Sequence, residues 1–331
     1  MKDFAGKIAF ITGGASGAGF GQAQIFSEAG MKVVIADVRQ DHLDEAMEYF
    51  KEKGAPVHAV KLDVTDRDAY AAAADEVERV FGSSPDLLVL TAGVNVFGPA
   101  EASTYADFDW VVGVCFWGVV NGLVTFVPRM IKAGKGGYVA ATVSWGAFGA
   151  GAMVAPYTAA KAAVLNLMES YYLALQPYGI GVSTICPANI RSRIYETALH
   201  RPEHLQNTGY NVDEKTQEFL ASIHAHGMDP RVLANWLKEG IENEQFLIIP
   251  YKSGPRMVEL ELARFVDYAS PEGMKRIEAK RYSPPTEEQL QMMSEREGYE
   301  IKPGPRPIFT DTSGFAKARK DIDWVDDSKK V

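Results

Sequence analysis

The sequence predicts an α/β protein with one doubly wound parallel sheet and helices on both of its faces. Short aliphatic runs alternate with helical stretches along most of the chain, and a glycine-rich loop follows the first run. This alternation predicts parallel strands joined by right-handed helical crossovers. The aliphatic runs also have the composition of strands that are buried on both faces. Together these observations indicate an open, doubly wound α/β sheet.

Six strands are predicted in chain order, at "KIAFIT", "KVVIAD", "VHAVKLDV", "DLLVLTAG", "GGYVAATVS" and "YGIGVSTICPA". A further helix and strand follow at "RVLANWLKEGIENEQFLIIPY". A polar insertion of about residues 189–230 separates strand six from this further helix. We expect it to be a substrate lid, because it follows the carboxyl end of strand six. We predict a domain over residues 1–270 and an extended tail over residues 271–331, which are rich in charge and proline.

Composition excludes several classes of partner. The 331 residues are 47% hydrophobic and carry a formal net charge of -9, which disfavours nucleic acid and anionic membranes as partners. The only two cysteines, Cys115 and Cys186, lie in apolar runs and are expected to be buried thiols, with no disulfide and no metal site. The N-terminal segment has neither a long apolar core nor a membrane anchor, so we expect a cytoplasmic protein.

The loop "ITGGASGAGFG" ends strand one and opens a helix. Its glycines Gly13, Gly17 and Gly19 permit a tight turn and let a pyrophosphate approach free backbone N–H groups at the helix N-terminus. The pattern predicts a dinucleotide site, and the alternative is a glycine-rich turn without a ligand.

Asp37 ends strand two, where a carboxylate can accept hydrogen bonds from both adenosine ribose hydroxyls. A 2'-phosphate at about 4 Å would be repelled by roughly 4 kcal/mol per unit charge at an effective dielectric near 20, so NAD is favoured over NADP. Arg39 could partly offset that repulsion, and a helix cap is the alternative role for Asp37. Asp63 ends strand three and could accept from the adenine amino group or be a solvated loop carboxylate.

The stretch "YTAAK" places Tyr157 and Lys161 four residues apart, on one face of a helix. The Lys161 ammonium and a cationic nicotinamide are expected to lower the pKa of the phenol, which is ordinarily about 10. Such a tyrosine can take a proton from an alcohol while hydride leaves the same carbon. Ser144 ends strand five and is expected to orient the substrate oxygen. The alternative is an exposed helical pair without a chemical role.

From residue 5 to about residue 250, the motifs "TGGASGAG", Asp37, "LDV", "TAG", Ser144 and "YTAAK" resemble the short-chain dehydrogenase/reductase family. The resemblance implies a single-domain Rossmann fold and a homodimer or homotetramer in which Ser144, Tyr157 and Lys161 are catalytic. The positions it implies for cofactor binding are Gly13, Ser16, Gly17, Ala18, Gly19, Asp37, Val38, Asp63, Val64, Thr91, Ala92, Gly93, Tyr157, Lys161, Pro187, Ile190 and Ser192.

Four positions depart from the family pattern. Leu90 and Thr91 stand in the motif after strand four, Ala188 replaces a glycine, and Cys115 replaces the catalytic asparagine. The main-chain carbonyl at Cys115 can still hold the water that leads to the lysine in this family, but a thiol cannot offer an amide. A packing role for the Cys115 side chain is favoured over a nucleophilic one, because its neighbours are apolar.

Several mostly aromatic or aliphatic side chains are expected at the substrate cleft, with core packing as the alternative for each. They are Asn95, Val96, Phe97, Trp145, Phe148, Met153, Ile194 and Tyr195. Flat apolar walls suit a bulky aryl alcohol. The segments "FDWVVGV", "VTFVPRMI" and "PANIRS" resemble bacterial NAD-dependent Cα-dehydrogenases of lignin-derived β-aryl ethers. A reductase of a steroid, polyketide or plant phenolic ketone is one alternative, and a catalytically weak NAD-binding regulatory module is another.

Overall fold

A computed structural model describes residues 1–281, 284–302 and 313–317 of the chain. Its centre is a seven-stranded sheet in which every pair of neighbouring strands is parallel, in the order β3-β2-β1-β4-β5-β6-β7. The strands β1 to β7 are Ile8–Thr12, Lys32–Asp37, Val57–Lys61, Leu87–Leu90, Gly137–Thr142, Ile180–Ile185 and Leu247–Ile248. The predicted doubly wound parallel sheet is confirmed. The strand order reverses between β1 and β4, which opens a crevice at their carboxyl ends.

Within the described residues, helices α1 to α11 connect and follow the strands. They are Gly17–Glu28, Gln40–Glu52, Arg67–Phe81, Tyr105–Val112, Gly118–Ala133, Ala155–Leu175, Glu214–His224, Pro230–Glu242, Gly254–Tyr268, Pro271–Arg281 and Glu287–Glu297. One turn of π-helix, Gly113–Trp117, joins α4 to α5.

The core consists of two apolar layers, one on each face of the sheet. Successive residues of a strand point to opposite faces, so Phe10 of β1 packs in one layer and Ile11 in the other. Phe10 meets Phe126 of α5 at a ring-centroid distance of 4.5 Å. On the other face, Phe26 of α1 and Leu237 of α8 pack around Ile11 and are fully buried. Burial on both faces explains why the strands are continuous aliphatic runs.

The helical stretch Tyr105–Ala133 is long and apolar enough to cross a membrane by length and composition, but 56% of its most apolar window is buried inside the fold. Leu123, Phe126 and Met130 of this stretch lie in the apolar layer against the sheet. Core packing therefore accounts for its apolar character.

The insertion after β6 folds into short helical turns at Ile194–His200 and Glu203–Leu205, followed by α7. We call residues 189–230 the lid segment; its function as a lid remains a prediction. A buried ion pair between Arg201 and Asp107 of α4 attaches it to the rest of the domain.

The prediction of an extended chain after residue 270 is wrong for α10 and α11. Thr286 begins α11 with a capping box completed by Gln289, a local signal that outweighs the surrounding charge and proline. Met292 of α11 is buried in the core layer, and the Glu295 carboxylate accepts hydrogen bonds from the backbone N–H and hydroxyl of Ser253, each at 3.1 Å. The predicted tail residues 282–283, 303–312 and 318–331 lie outside the described residues, and the domain boundary at residue 270 stays a prediction.

Candidate active site

A cleft of about 470 Å³ opens at the carboxyl ends of β1, β2, β4 and β5. Its walls combine the loops after these strands with α6 and the lid segment. Of the predicted cofactor positions, the cleft is lined by Gly13, Ser16, Gly17, Ala18, Gly19, Asp37, Val38, Asp63, Val64, Thr91, Ala92, Gly93, Tyr157, Lys161, Pro187, Ile190 and Ser192. The structure therefore brings all of them together, and their binding roles remain predictions.

The glycine loop has the conformation that a phosphate site requires. Gly13 and Gly17 have φ values of +64° and +49°, in the left-handed region that favours glycine. A Cβ on Gly13 would lie 2.9 Å from the Cα of Ala92, so a side chain there would push β1 away from the loop after β4. The Ser16 side chain makes no capping hydrogen bond to α1, and the first residues of this helix, Gly17, Ala18 and Gly19, line the cleft. These groups fit a dinucleotide pyrophosphate.

Asp37 lies at the end of the cleft expected to hold the adenosine ribose, and it is only 8% exposed. Its two oxygens accept backbone hydrogen bonds from Arg39 at 3.1 Å and from Ala15 at 3.4 Å. Burial raises the pKa of this carboxyl group, and the two backbone donors act against that rise. The Arg39 guanidinium is held by Asp41, with Nε 2.8 Å from Oδ1. Its charge is thus already paired beside Asp37.

Asp63 also reaches the cleft, but its carboxylate accepts hydrogen bonds from the backbone and the hydroxyl of Thr65, at 2.9 and 2.8 Å. This local turn favours a structural role for Asp63 at least as much as adenine recognition.

The departure at Thr91 has a structural explanation. Its hydroxyl lies 2.7 Å from Gln22 Oε1 and 2.8 Å from Thr142 Oγ1, so it joins α1, β4 and β5 in one polar network. Thr12 at the end of β1 accepts the backbone N–H groups of Thr91 and Ala92 at 2.9 and 3.1 Å. These bonds hold the loop after β4 against the glycine loop.

Ser144, Tyr157 and Lys161 line one wall of this cleft. Tyr157 and Lys161 lie in the first two turns of α6, and the Lys161 ammonium is 5.6 Å from the centroid of the Tyr157 ring. Lys161 Nζ also donates to the carbonyl of Thr142 at 2.9 Å, which fixes the buried ammonium beneath the phenol. Ser144 caps a short helical turn by accepting the N–H of Gly146 at 3.0 Å. A phenol, an ammonium and a hydroxyl thus surround one space.

Burial raises the pKa of the Tyr157 phenol, while the Lys161 ammonium and a hydrogen bond from Ser144 lower it. Lys161 therefore lowers the pKa of Tyr157, as the sequence predicts. With the protein groups alone, loss of hydration outweighs the ammonium and the pKa of the phenol is raised. The expected lowering also counts the charge of a bound nicotinamide, so it stays a prediction.

Cys115 lies in the π-helical turn, fully buried, and is not among the cleft-lining residues. Its thiol donates to the Val94 carbonyl at 3.2 Å and accepts the Val94 N–H at 3.4 Å. Burial raises the pKa of this thiol, with Lys161 acting in the opposite direction. A methyl group on Gly93 would lie 3.6 Å from the thiol sulfur and 3.7 Å from Lys161 Nζ. Cys115 therefore anchors the loop after β4 beside Lys161, as a neutral thiol.

Of the predicted substrate residues, Asn95, Phe97 and Ile194 line the cleft, and Val96, Trp145, Phe148, Met153 and Tyr195 do not. Trp145 turns into the core, where its ring meets that of Phe148 at 5.6 Å. The ring of Tyr195 stacks on His224, and Val96 is 1% exposed. Core packing, the alternative stated for each position, applies to Val96 and Trp145.

The remaining cleft residues have no binding position predicted from the sequence, although seven of the cleft residues in this group belong to the lid segment. They are Arg39, His42, Leu62, Val94, Trp110, Val114, Thr142, Val143, Ala188, Asn189, Arg193, Glu196, Thr197, His200, Pro202 and His224. Thr197 shows how the two sides meet: its hydroxyl accepts the N–H of Asn95 at 3.2 Å and lies 2.9 Å from the carbonyl oxygen of Asn95. No local pattern marks such a contact, because it joins residues about a hundred positions apart.

The fold and the cleft are those of an oxidoreductase that uses a nicotinamide dinucleotide. The family model described as short chain dehydrogenase matches residues 7–202, and the chain belongs to this family, whose members use NAD(P). It is an enzyme acting on alcohol groups.

One relative is the "C alpha-dehydrogenase" of Sphingobium sp. (strain NBRC 103272 / SYK-6), 50% identical over 82% of this chain and 89% of that protein. The crystal structure of the LigD apo form from Sphingobium sp. strain SYK-6 matches with a TM-score of 0.68 and 45% identity, over 81% of this chain and 100% of that one. A short chain dehydrogenase/reductase from Burkholderia phymatum in complex with NAD matches with a TM-score of 0.73 and 29% identity, over 81% of this chain and 96% of that one.

Proposed function

We propose that this enzyme oxidises the benzylic secondary alcohol of a bulky aryl compound, such as the Cα hydroxyl of a lignin-derived β-aryl ether, with NAD. The observation that carries the proposal is the position of Ser144, Tyr157 and Lys161 on one wall of the cleft that also holds the glycine loop and Asp37. The similarity to a protein named C alpha-dehydrogenase supports the choice of alcohol.

Each side chain has a distinct task. Ser144 holds the alcohol oxygen, and Tyr157 removes its proton. The Lys161 ammonium favours the phenolate and donates to the cofactor ribose. The oxidised nicotinamide, when bound, would supply the hydride acceptor and, until the hydride is transferred, a second positive charge near the phenol. That charge opposes the effect of burial on the Tyr157 phenol, in the same direction as the Lys161 ammonium.

The preference for NAD rests on the environment of Asp37. The carboxylate is positioned by two backbone N–H groups, and the neighbouring Arg39 is already paired with Asp41. A ribose 2'-hydroxyl can donate to Asp37, whereas a 2'-phosphate would meet its negative charge. We further propose that the enzyme is a cytoplasmic homodimer or homotetramer that binds neither nucleic acid nor membranes.

The test is formation of the reduced dinucleotide from a panel of benzylic alcohols, with NAD and NADP in parallel. Tyr157→Phe removes the proton acceptor and keeps the ring, so we expect kcat to fall by about 100- to 10,000-fold. Tyr178→Phe, at a tyrosine that is 51% exposed and outside the cleft, is the matched control and should retain activity. Undiminished turnover by Tyr157→Phe would remove the assigned base.

A further inference from the structure

His224, the last residue of α7, brings a polar ring to the apolar wall of the cleft. Its imidazole stacks on Tyr195 at a centroid distance of 5.9 Å and an interplanar angle of 24°. The ring of Phe97 meets it edge-on at 6.1 Å. Two aromatic neighbours and a half-buried position thus restrict the orientation of this ring.

The backbone places His224 firmly relative to the segment after β6. Asn189 donates its side-chain amide to the carbonyl of Ile223 at 2.8 Å. Met228 exchanges backbone hydrogen bonds with this segment, donating to Asn189 at 2.9 Å and accepting from Arg191 at 3.0 Å. The end of α7 therefore keeps a defined position beside Ile190, a predicted cofactor-binding residue.

The hydrogen bond of His224 decides which ring nitrogen carries the proton. Nδ1 lies 3.4 Å from the carbonyl oxygen of Ile190, and a carbonyl can only accept, so Nδ1 is the protonated nitrogen. Burial lowers the pKa of this imidazole, which keeps it neutral near pH 7. In a neutral ring with hydrogen on Nδ1, Nε2 is an acceptor. Among residues 1–281, 284–302 and 313–317, none forms a hydrogen bond with Nε2.

We propose that Nε2 of His224 accepts a hydrogen bond from a hydroxyl group on the aryl ring of the substrate, so that phenolic benzylic alcohols are preferred over their O-methylated counterparts. This inference rests on the proposed function and adds a specificity-determining residue to it. A phenol can donate to Nε2, whereas an aryl methyl ether offers only acceptor oxygens and leaves the nitrogen unpaired.

The experiment compares a para-hydroxyaryl benzylic alcohol with its para-methoxyaryl counterpart, by kcat/KM and by isothermal titration of the two ketone products. We expect the wild type to prefer the phenol by about three- to tenfold, the value of one neutral hydrogen bond. His224→Phe retains the ring contacts and removes both nitrogens, so the preference should fall to about one. The loss should come mainly from the KM of the phenolic substrate.

Two further variants sharpen the test. His226→Phe is the matched control, because His226 also directs Nδ1 at a carbonyl, that of Ser222 at 2.9 Å, but is exposed and lies outside the cleft. It should leave the preference unchanged. His224→Gln retains a terminal acceptor oxygen and should keep part of the preference.

An unchanged preference in His224→Phe would overturn the inference. An equal loss for both substrates with a raised KM for NAD would overturn it as well, by placing the ring against the cofactor. If the wild type oxidises neither alcohol, the proposed function fails instead. In that case the ratio of the dissociation constants of the two ketones, compared between the wild type and His224→Phe, still tests the role of His224.

Discussion

Replacing Arg201 with methionine tests how strongly one buried ion pair holds the lid segment on the domain. Arg201 and Asp107 have side chains that are only 5% and 0% exposed. The guanidinium donates to Asp107 Oδ1 at 2.5 Å and to the carbonyl of Leu205 at 2.9 Å, and it lies 4.9 Å from the ring centroid of Trp110. Methionine fills a similar volume but supplies no charge and no donor.

The expected cost follows from what Asp107 retains. Its carboxylate still accepts the N–H of Thr104 at 2.8 Å, the hydroxyl of Thr104 at 3.0 Å and that of Thr208 at 2.8 Å. Removing one partner of a buried pair costs about 3–5 kcal/mol, because the other charge is left buried without compensation. Since three hydrogen bonds persist, we expect a loss near the lower limit, about 3 kcal/mol of the free energy of unfolding.

Urea unfolding at constant m value measures this loss. The matched control is Arg231→Met, which breaks an arginine–carboxylate pair with Glu28 whose side chains are 41% and 54% exposed. Because this pair is exposed to solvent, its loss should lower the free energy of unfolding by no more than about 1 kcal/mol.

Asp107→Asn removes the carboxylate charge that Arg201→Met leaves buried without a cation. The double variant should therefore lose less free energy of unfolding than the sum of the two single losses, by about 1–3 kcal/mol. A loss in Arg201→Met no larger than in Arg231→Met would refute the reasoning, and so would strict additivity in the double variant.

Two further predictions concern the cleft. Lys161→Met should move the rising limb of the pH–rate profile for alcohol oxidation to higher pH: the ammonium lowers the pKa of Tyr157, so without it the reactive phenolate forms only at more alkaline pH. A limb that stays in place, or moves to lower pH, would contradict this electrostatic role. Asp37→Ala should narrow the ratio of kcat/KM for NAD over NADP by about tenfold or more, and an unchanged ratio would exclude Asp37 from cofactor choice.

Local spacing along the chain was sufficient for the sheet and for one side of the cleft. Residues such as Phe10 and Ile11 alternate between two buried faces, which is why continuous aliphatic runs predicted parallel strands. Lys161 follows Tyr157 by four residues, so helix geometry alone places them on one face. The turn of Gly13 depends on a strand–loop–helix order that is visible in the sequence.

Spacing was insufficient where the chain is irregular. Trp145 follows Ser144 directly but turns into the core, because the short helical turn after β5 has no periodicity that assigns a face. The chain after residue 270 was expected to be extended from its charge and proline, yet Met292 is buried in the core layer. Its burial depends on a surface supplied by distant elements.

The sequence by itself determined the fold, the glycine loop and the serine, tyrosine and lysine of the site, since each depends on residues close together in the chain. Only the tertiary structure decided the opposite wall of the cleft, where His224 meets Phe97. The same holds for the buried pair of Arg201 and Asp107, which attaches the lid segment to the domain. The tertiary structure also decided the net effect on the Tyr157 phenol, because the loss of water around a group depends on every element that packs against it.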